Sequence, residues 1–182
     1  MSCKVVLSLE CRRIPGVGTA MNNLVGLIAD THDNRDKSAR AVELFNRKDV
    51  GIVLHAGDII APFNVREFAL LKARFVAVFG NNDGERIGLR DKFAQVGQIA
   101  NSPHEVEHAG KRFVLMHEPG LLEPVAASGH YDMIVYGHTH RVDVRSGKTL
   151  IVNPGECGGW LNGRCTVAIV DIESMAAEVI DL

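Results

Sequence analysis

Cysteine, tryptophan and long apolar runs are all scarce in this chain. Its 182 residues include four cysteines, one tryptophan and an aromatic share of only 5%. Cys3, Cys11, Cys157 and Cys165 lie far apart and form no Cys-x-x-Cys pair, which argues against a zinc knuckle or a disulfide-built framework. They read as small buried or free thiols. No apolar run approaches the ~20 residues that a membrane-spanning helix needs. Neither sign of charge dominates: 20 Lys and Arg against 22 Asp and Glu give a net charge of −2, with no broad basic face for duplex nucleic acid. The expectation is a cytoplasmic protein with no membrane association and no stable nucleic-acid partner. What remains is ordinary globular composition, 46% hydrophobic and 23% charged, in a length that suits one self-sufficient core.

Residues 1–20 stand apart from the rest. Their apolar stretch, 3–9, is followed by Glu10, Arg12 and Arg13, too short and too soon charged for a signal-peptide core. Met21 sits just ahead of the first convincing strand. Residues 1–20 are therefore expected to be a disordered extension, and 21–182 a single domain.

From residue 24 onward, short apolar runs alternate with amphipathic stretches. Runs 24–29, 50–54, 75–79, 113–116 and 133–136 read as buried strands, rich in Val, Ile, Leu or Phe. Helices are expected over 36–48, from Pro62 onward and over 121–127. The second half turns to hairpins, 104–108 with 112–116, 142–145 with 150–152, and 165–171 with 176–180. Together these patterns predict an α/β fold of two facing mixed sheets flanked by helices, a four-layer αββα sandwich.

A side chain able to bind metal follows each of the five buried strands. Asp30 and His32 follow the first, Asp58 the second, Asn81 the third, His117 the fourth, and His138 with His140 the fifth. Open α/β sheets bind ligands beyond the carboxyl ends of their strands, so five parallel strands side by side would bring these seven groups to one edge. Single pairs carry little weight, because 11 Asp and 8 His in this length give about 0.5 expected Asp-x-His occurrences by chance. The ordered set is far more informative.

Asp30-Thr31-His32, Gly57-Asp58, Gly80-Asn81-Asn82-Asp83, His117 and Gly137-His138-Thr139-His140 resemble the motifs of the calcineurin-like metallophosphoesterase superfamily. The short length and Asn153-Pro154-Gly155 are similar to its small bacterial and archaeal phosphodiesterase branch. The resemblance implies a first metal on Asp30, His32, Asp58 and His140, and a second on Asp58, Asn81, His117 and His138, with Asp58 as the bridge. Asp58, Asn82 and Asp83 are expected as catalytic residues, and Asn81, Asn82 and Arg86, which follows the Asp83 loop, as substrate contacts.

Imidazole, carboxylate and amide donors suit Mn, Ni, Co, Fe or Zn better than Ca or Mg, and two such ions, Mn first among them, are expected. Two divalent ions against Asp30, Asp58 and a bridging hydroxide leave one net positive charge for an anionic ester. That hydroxide would attack a small phosphodiester in line. Phosphomonoester hydrolysis is the alternative within enzymes. A protein-interaction scaffold of the same fold, as in the retromer complex, is the alternative outside them.

One position departs from the family pattern. Many members carry His after the ligand Asn, where this chain has Asn82. An amide donates a hydrogen bond but delivers no proton, so assistance to the leaving group is not supplied there. His55 reads as a packed core histidine, and Trp160 with the outer faces of the terminal hairpins offers surface for a homo-oligomer.

Overall fold

The computed structural model describes residues 22–182; the expected extension over 1–20 lies outside them. Eleven strands form two mixed sheets among these residues. In the first sheet β1 (Leu24–Ile28), β2 (Ile52–His55), β3 (Arg74–Val78) and β4 (Gly97–Ala100) run parallel. The second comprises β5 (His104–His108), β6 (Lys111–Leu115), β7 (Met133–Val135), β8 (Val142–Arg145) and β9 (Leu150–Pro154) in the order β5-β6-β7-β9-β8, with β6, β7 and β9 parallel. The last hairpin, β10 (Thr166–Asp171) and β11 (Ala176–Asp181), returns to the first sheet, where β10 pairs antiparallel with β1.

Alternation along the strands assigns the layers. Val25, Leu27, Ile52, Leu54, Val76 and Val78 face the second sheet and pack with Phe113, Leu115, Met133, Val135 and Val152. Residues of opposite parity, Ile28, Val53, Phe75 and Ala77, face the helices α1 (Arg35–Arg47), α2 (Val65–Phe68) and α3 (Arg86–Phe93). On the far side α4 (Leu122–Ser128) covers Val114, Ile134 and Ile151. This is the expected αββα order, with both faces of each central strand buried.

Helix α1 starts where Asn34 accepts a hydrogen bond from the Lys37 backbone N–H at 3.2 Å and donates its own amide to the Gly158 carbonyl at 2.7 Å. It lies close on β1 because position 26 is glycine: a Cβ there would stand 2.7 Å from the Phe45 ring.

Two departures from expectation stand out. The five strands that precede candidate ligands are not side by side in one sheet. Three, β1, β2 and β3, lie in the first sheet and two, β6 and β7, in the second. The carboxyl ends of both sheets open on the same rim, so convergence survives the split. Helix α3 and edge strand β4 were not anticipated, since α3 buries only Leu89 and Phe93, and β4 only Ile99.

Phe68, Phe75 and Phe93 form an aromatic cluster with ring centroids 5.0–5.7 Å apart beneath α2 and α3. Phe68→Ala is expected to destabilise the protein by about 3–5 kcal/mol, lowering the melting temperature by roughly 6–20 °C in calorimetry.

Candidate metal centre

Each candidate ligand stands two to five residues past a strand end, on a loop whose backbone is bent away from the strand. Asp30, His32, Asp58, His138 and His140 all have positive φ, between 42° and 67°. Left-handed backbone at non-glycine residues costs on the order of 1 kcal/mol each and persists only when neighbours enforce it. Here the neighbours are cross-loop hydrogen bonds: the Asp30 N–H donates to the Gly57 carbonyl at 3.1 Å, and the His32 N–H to the Asp58 carbonyl at 3.1 Å.

Asp30, His32, Asp58 and His140 each point one ligand atom to a common place, all within 4.8 Å of one another. His32 Nε2 lies 3.3 Å from His140 Nε2 and 3.5 Å from Asp58 Oδ2, while His140 Nε2 lies 3.8 Å from Asp30 Oδ1. A second group adjoins it. Asn81 Oδ1 is 2.8 Å from both His117 Nε2 and His138 Nδ1, and His117 Nε2 is 3.5 Å from Asp58 Oδ2.

Asp58 Oδ2 therefore stands at the same 3.5 Å from an imidazole of each group. All seven residues read from the sequence as metal ligands meet here. His117 Nδ1–H donates to the Ala56 carbonyl at 2.8 Å, which in the neutral ring leaves the Nε2 lone pair facing two oxygens. Imidazole, carboxylate and amide donors converging on one place are what a cation would occupy, and the donor set fits a divalent transition metal.

Neighbouring polar groups fix these ligands. Asn82 donates its backbone N–H to Asp58 Oδ1 at 2.9 Å and its side-chain amide to Oδ2 at 2.8 Å. Asp83, grouped with the catalytic residues from sequence, is turned elsewhere. Its carboxylate accepts the backbone N–H of Gly80, Ile60 and Asp58 at 2.7, 2.7 and 3.1 Å, tying the Asn81 loop to the Asp58 loop. Buried Asn153 donates to the Gly137 carbonyl at 2.9 Å and so braces the loop of His138 and His140.

His55 Nδ1 accepts from the Gly57 N–H, which places its proton on Nε2, 3.2 Å from Thr31 Oγ1; that hydroxyl donates in turn to the Asp58 carbonyl at 3.2 Å. The core histidine read from sequence thus also steadies Asp58. Sequence reasoning missed Glu156, a buried carboxylate whose Oε1 lies 3.3 Å from His140 Nδ1. Its one signal was position, directly after Asn153-Pro154-Gly155.

The electrostatics of the site suit a cation. Asp30 and Asp58 are 0% and 1% exposed, and among the described residues no Lys or Arg forms an ion pair with either. Burial first, and then the charge of Asp58, push Asp30 up to about 8. Burial holds His32 below the usual histidine range, keeping its ring neutral and able to ligate.

Two clefts flank the cluster. One, of about 710 Å³, runs past Asn81 and His117 between Phe79, Arg86, Ser102 and Leu121. The Arg86 guanidinium lies over the Phe79 ring at 5.3 Å and donates to the Asp83 and Gly80 carbonyls at 3.1 and 3.2 Å. The other cleft, of about 580 Å³, lies beside His32 and His140 and is walled by Ile60, Asn82, Trp160 and Leu161.

Residues 24–175 match the calcineurin-like phosphoesterase superfamily domain. With that match and this fold, the chain belongs to the calcineurin-like phosphoesterase superfamily. Among its relatives, Phosphodiesterase MJ0936 of Methanocaldococcus jannaschii is 38% identical over 154 residues, covering 82% of this chain and 93% of that protein. The solved structure of an archaeal phosphodiesterase superposes with a TM-score of 0.83 at 36% identity, over 87% of this chain and 99% of that one. Vacuolar protein sorting 29 of Cryptosporidium parvum shares the fold, with a TM-score of 0.62 at 20% identity over 89% and 97% of the two chains.

Two outcomes test the bracing. A Cβ at position 80 would overlap Asp58 Oδ1, so Gly80→Ala is expected to weaken divalent-metal affinity about 10–100-fold in chelator competition while the far-ultraviolet circular dichroism persists. Burial lowers His55 to about 3. The unfolded chain therefore binds a proton below ~6.5 that the folded chain refuses, and the stability His55 contributes is lost as pH falls. The stability advantage of wild type over His55→Gln should shrink by up to ~1.4 kcal/mol per pH unit from 6.5 toward 4, read by urea titration at each pH. A constant advantage would show that His55 is not held neutral.

Proposed function

We propose that this protein is a metal-dependent phosphodiesterase that acts on a small phosphodiester. Asp30, His32, Asp58 and His140 would hold one divalent transition-metal ion, and Asp58, Asn81, His117 and His138 a second, with Mn the first candidate and Ni, Co, Fe and Zn the alternatives. The observation that carries this reading is Asp58 Oδ2, equally distant from His32 and His117 and so placed to serve both groups. Bound there, the two ions would supply Lewis acidity and an activated water for in-line attack at phosphorus.

The protein's own contribution is positioning. Asn82 and the His55–Thr31 pair hold Asp58, Ala56 sets the His117 tautomer, and Arg86 keeps a positive charge on the wall of one cleft. With its amide on Asp58, Asn82 offers the leaving group no proton, which favours esters whose leaving groups depart as stable anions.

Two clefts rather than one favour a diester over a monoester, since each flanks the cluster on its own side. The 38% identical relative named a phosphodiesterase supports the same choice. The scaffold alternative draws on likeness of fold alone, and in this chain every ligand position holds a competent donor.

The test strips metal with chelator, restores Mn, Ni, Co, Fe, Zn or Mg, and compares bis(4-nitrophenyl) phosphate with 4-nitrophenyl phosphate. Higher kcat/KM for the diester is expected. A higher value for the monoester would make the protein a monoesterase, and no turnover with metal bound would favour the scaffold. Asp58→Asn should lower turnover by at least about 10²-fold with the fold intact, and a folded variant retaining more than about a tenth of the activity would remove Asp58 from the bridging role.

A further inference from the structure

We infer that Trp160 is a stacking platform for one arm of the substrate, and that this arm is neutral, planar and aromatic, as a nucleobase is. The inference rests on the diesterase reading and adds to it the chemistry of one side. Trp160 and Leu161 are adjacent in sequence, 64% and 72% exposed, and both wall the cleft that opens beside His32 and His140.

Scattered exposed hydrophobics need no explanation, but this indole is anchored. Its Nε1–H donates to the His32 carbonyl at 3.0 Å, and its backbone N–H donates to buried Glu156 at 2.6 Å. The ring's polar atom is satisfied and its attitude is fixed relative to a metal-ligand candidate. A rigid aromatic surface at a set distance from the phosphate site loses little entropy on binding a flat partner.

Charge narrows the partner. No Lys or Arg lines this cleft. Its two acids are occupied: Asp33 accepts from the Ala61 N–H at 3.0 Å and from the Asn64 amide, and Glu156 is buried against the Trp160 and Leu161 amides. An arm bearing a further phosphate would meet carboxylates without a cation, whereas a neutral ring meets indole and aliphatic surface. The opposite cleft carries Arg86 instead, so the two sides of the site are chemically unlike.

The test compares two ligands with the same phosphate, adenosine 5′-monophosphate and ribose 5-phosphate, on the metal-restored protein by calorimetry. The base should tighten binding by about 10-fold, the order that base–aromatic stacking supplies. Trp160→Ala should collapse that preference toward unity and Trp160→Phe should keep it within about 3-fold; metal effects transmitted through His32 cancel in the ratio. Because Trp160 is the chain's one tryptophan, adenosine 5′-monophosphate should also change its emission saturably with the same Kd.

Equal affinities in wild type, a preference unchanged in Trp160→Ala, or unaltered emission at saturation would each overturn the proposal. Normal hydrolysis of bis(4-nitrophenyl) phosphate without base preference would remove the platform alone. Base preference without diester hydrolysis would remove the diesterase reading and leave the platform.

Discussion

Two carboxylates buried without a basic partner set the terms for this molecule. Asp30 and Asp58 face each other's charge across the rim of two sheets, with imidazole nitrogens as their nearest neighbours. Removing such ions from water costs several kcal/mol apiece unless charge or hydrogen bonds compensate. Backbone amides do part of this: the His138 N–H donates to both oxygens of Asp30 at 3.1–3.2 Å, and the Asn82 N–H donates to Asp58. Burial and the charge of Asp58 nonetheless push Asp30 up to about 8, the direction expected where amides compensate only part of a buried charge. Cations would complete the balance, and the surrounding polar network lies around the place where they would sit.

That arrangement is costly in the loops and secure in the sheets. Five of the seven candidate ligands occupy left-handed backbone, which no isolated loop would hold. They are held because every loop is anchored within three residues to a strand buried on both faces, and because Asp83 and Asn153 convert backbone amides and carbonyls of neighbouring loops into shared hydrogen bonds. A rigid double sheet thus supplies the stability that the strained rim spends. Sites on such supports keep their geometry more closely than sites on free loops.

This division explains what could be read from the chain alone. Strands β1, β2, β3, β6 and β7 are legible because burial on both faces leaves uninterrupted apolar runs, and each candidate ligand announces itself by ending one. β4 and α3 are illegible because each lies at a margin and buries only one or two side chains, too few to set a period. Glu156 escapes for a different reason. Its partnership with His140 exists only because the chain leaving β9 returns to the end of β1, where the Cys157 and Gly158 N–H groups donate to the Ala29 and Asp30 carbonyls at 3.0 and 2.9 Å. Asp83 shows the limit of motif reading as well: spacing places a carboxylate near the site but does not say which way it faces.

The two halves of the centre are therefore built on different foundations. His117 is buried and its tautomer is set by the carbonyl of Ala56, one residue past β2, so the half that includes Asn81 leans on the sheet core. The half formed by His32 and His140 leans on the segment 156–162. Glu156 lies against the His140 ring, the Trp160 indole holds the His32 carbonyl, and the Asn162 amide holds the His140 carbonyl at 3.0 Å. That segment is also the wall of one cleft. The groups that touch the His140 ring and the His32 and His140 carbonyls therefore belong to the same short stretch of chain as that cleft wall.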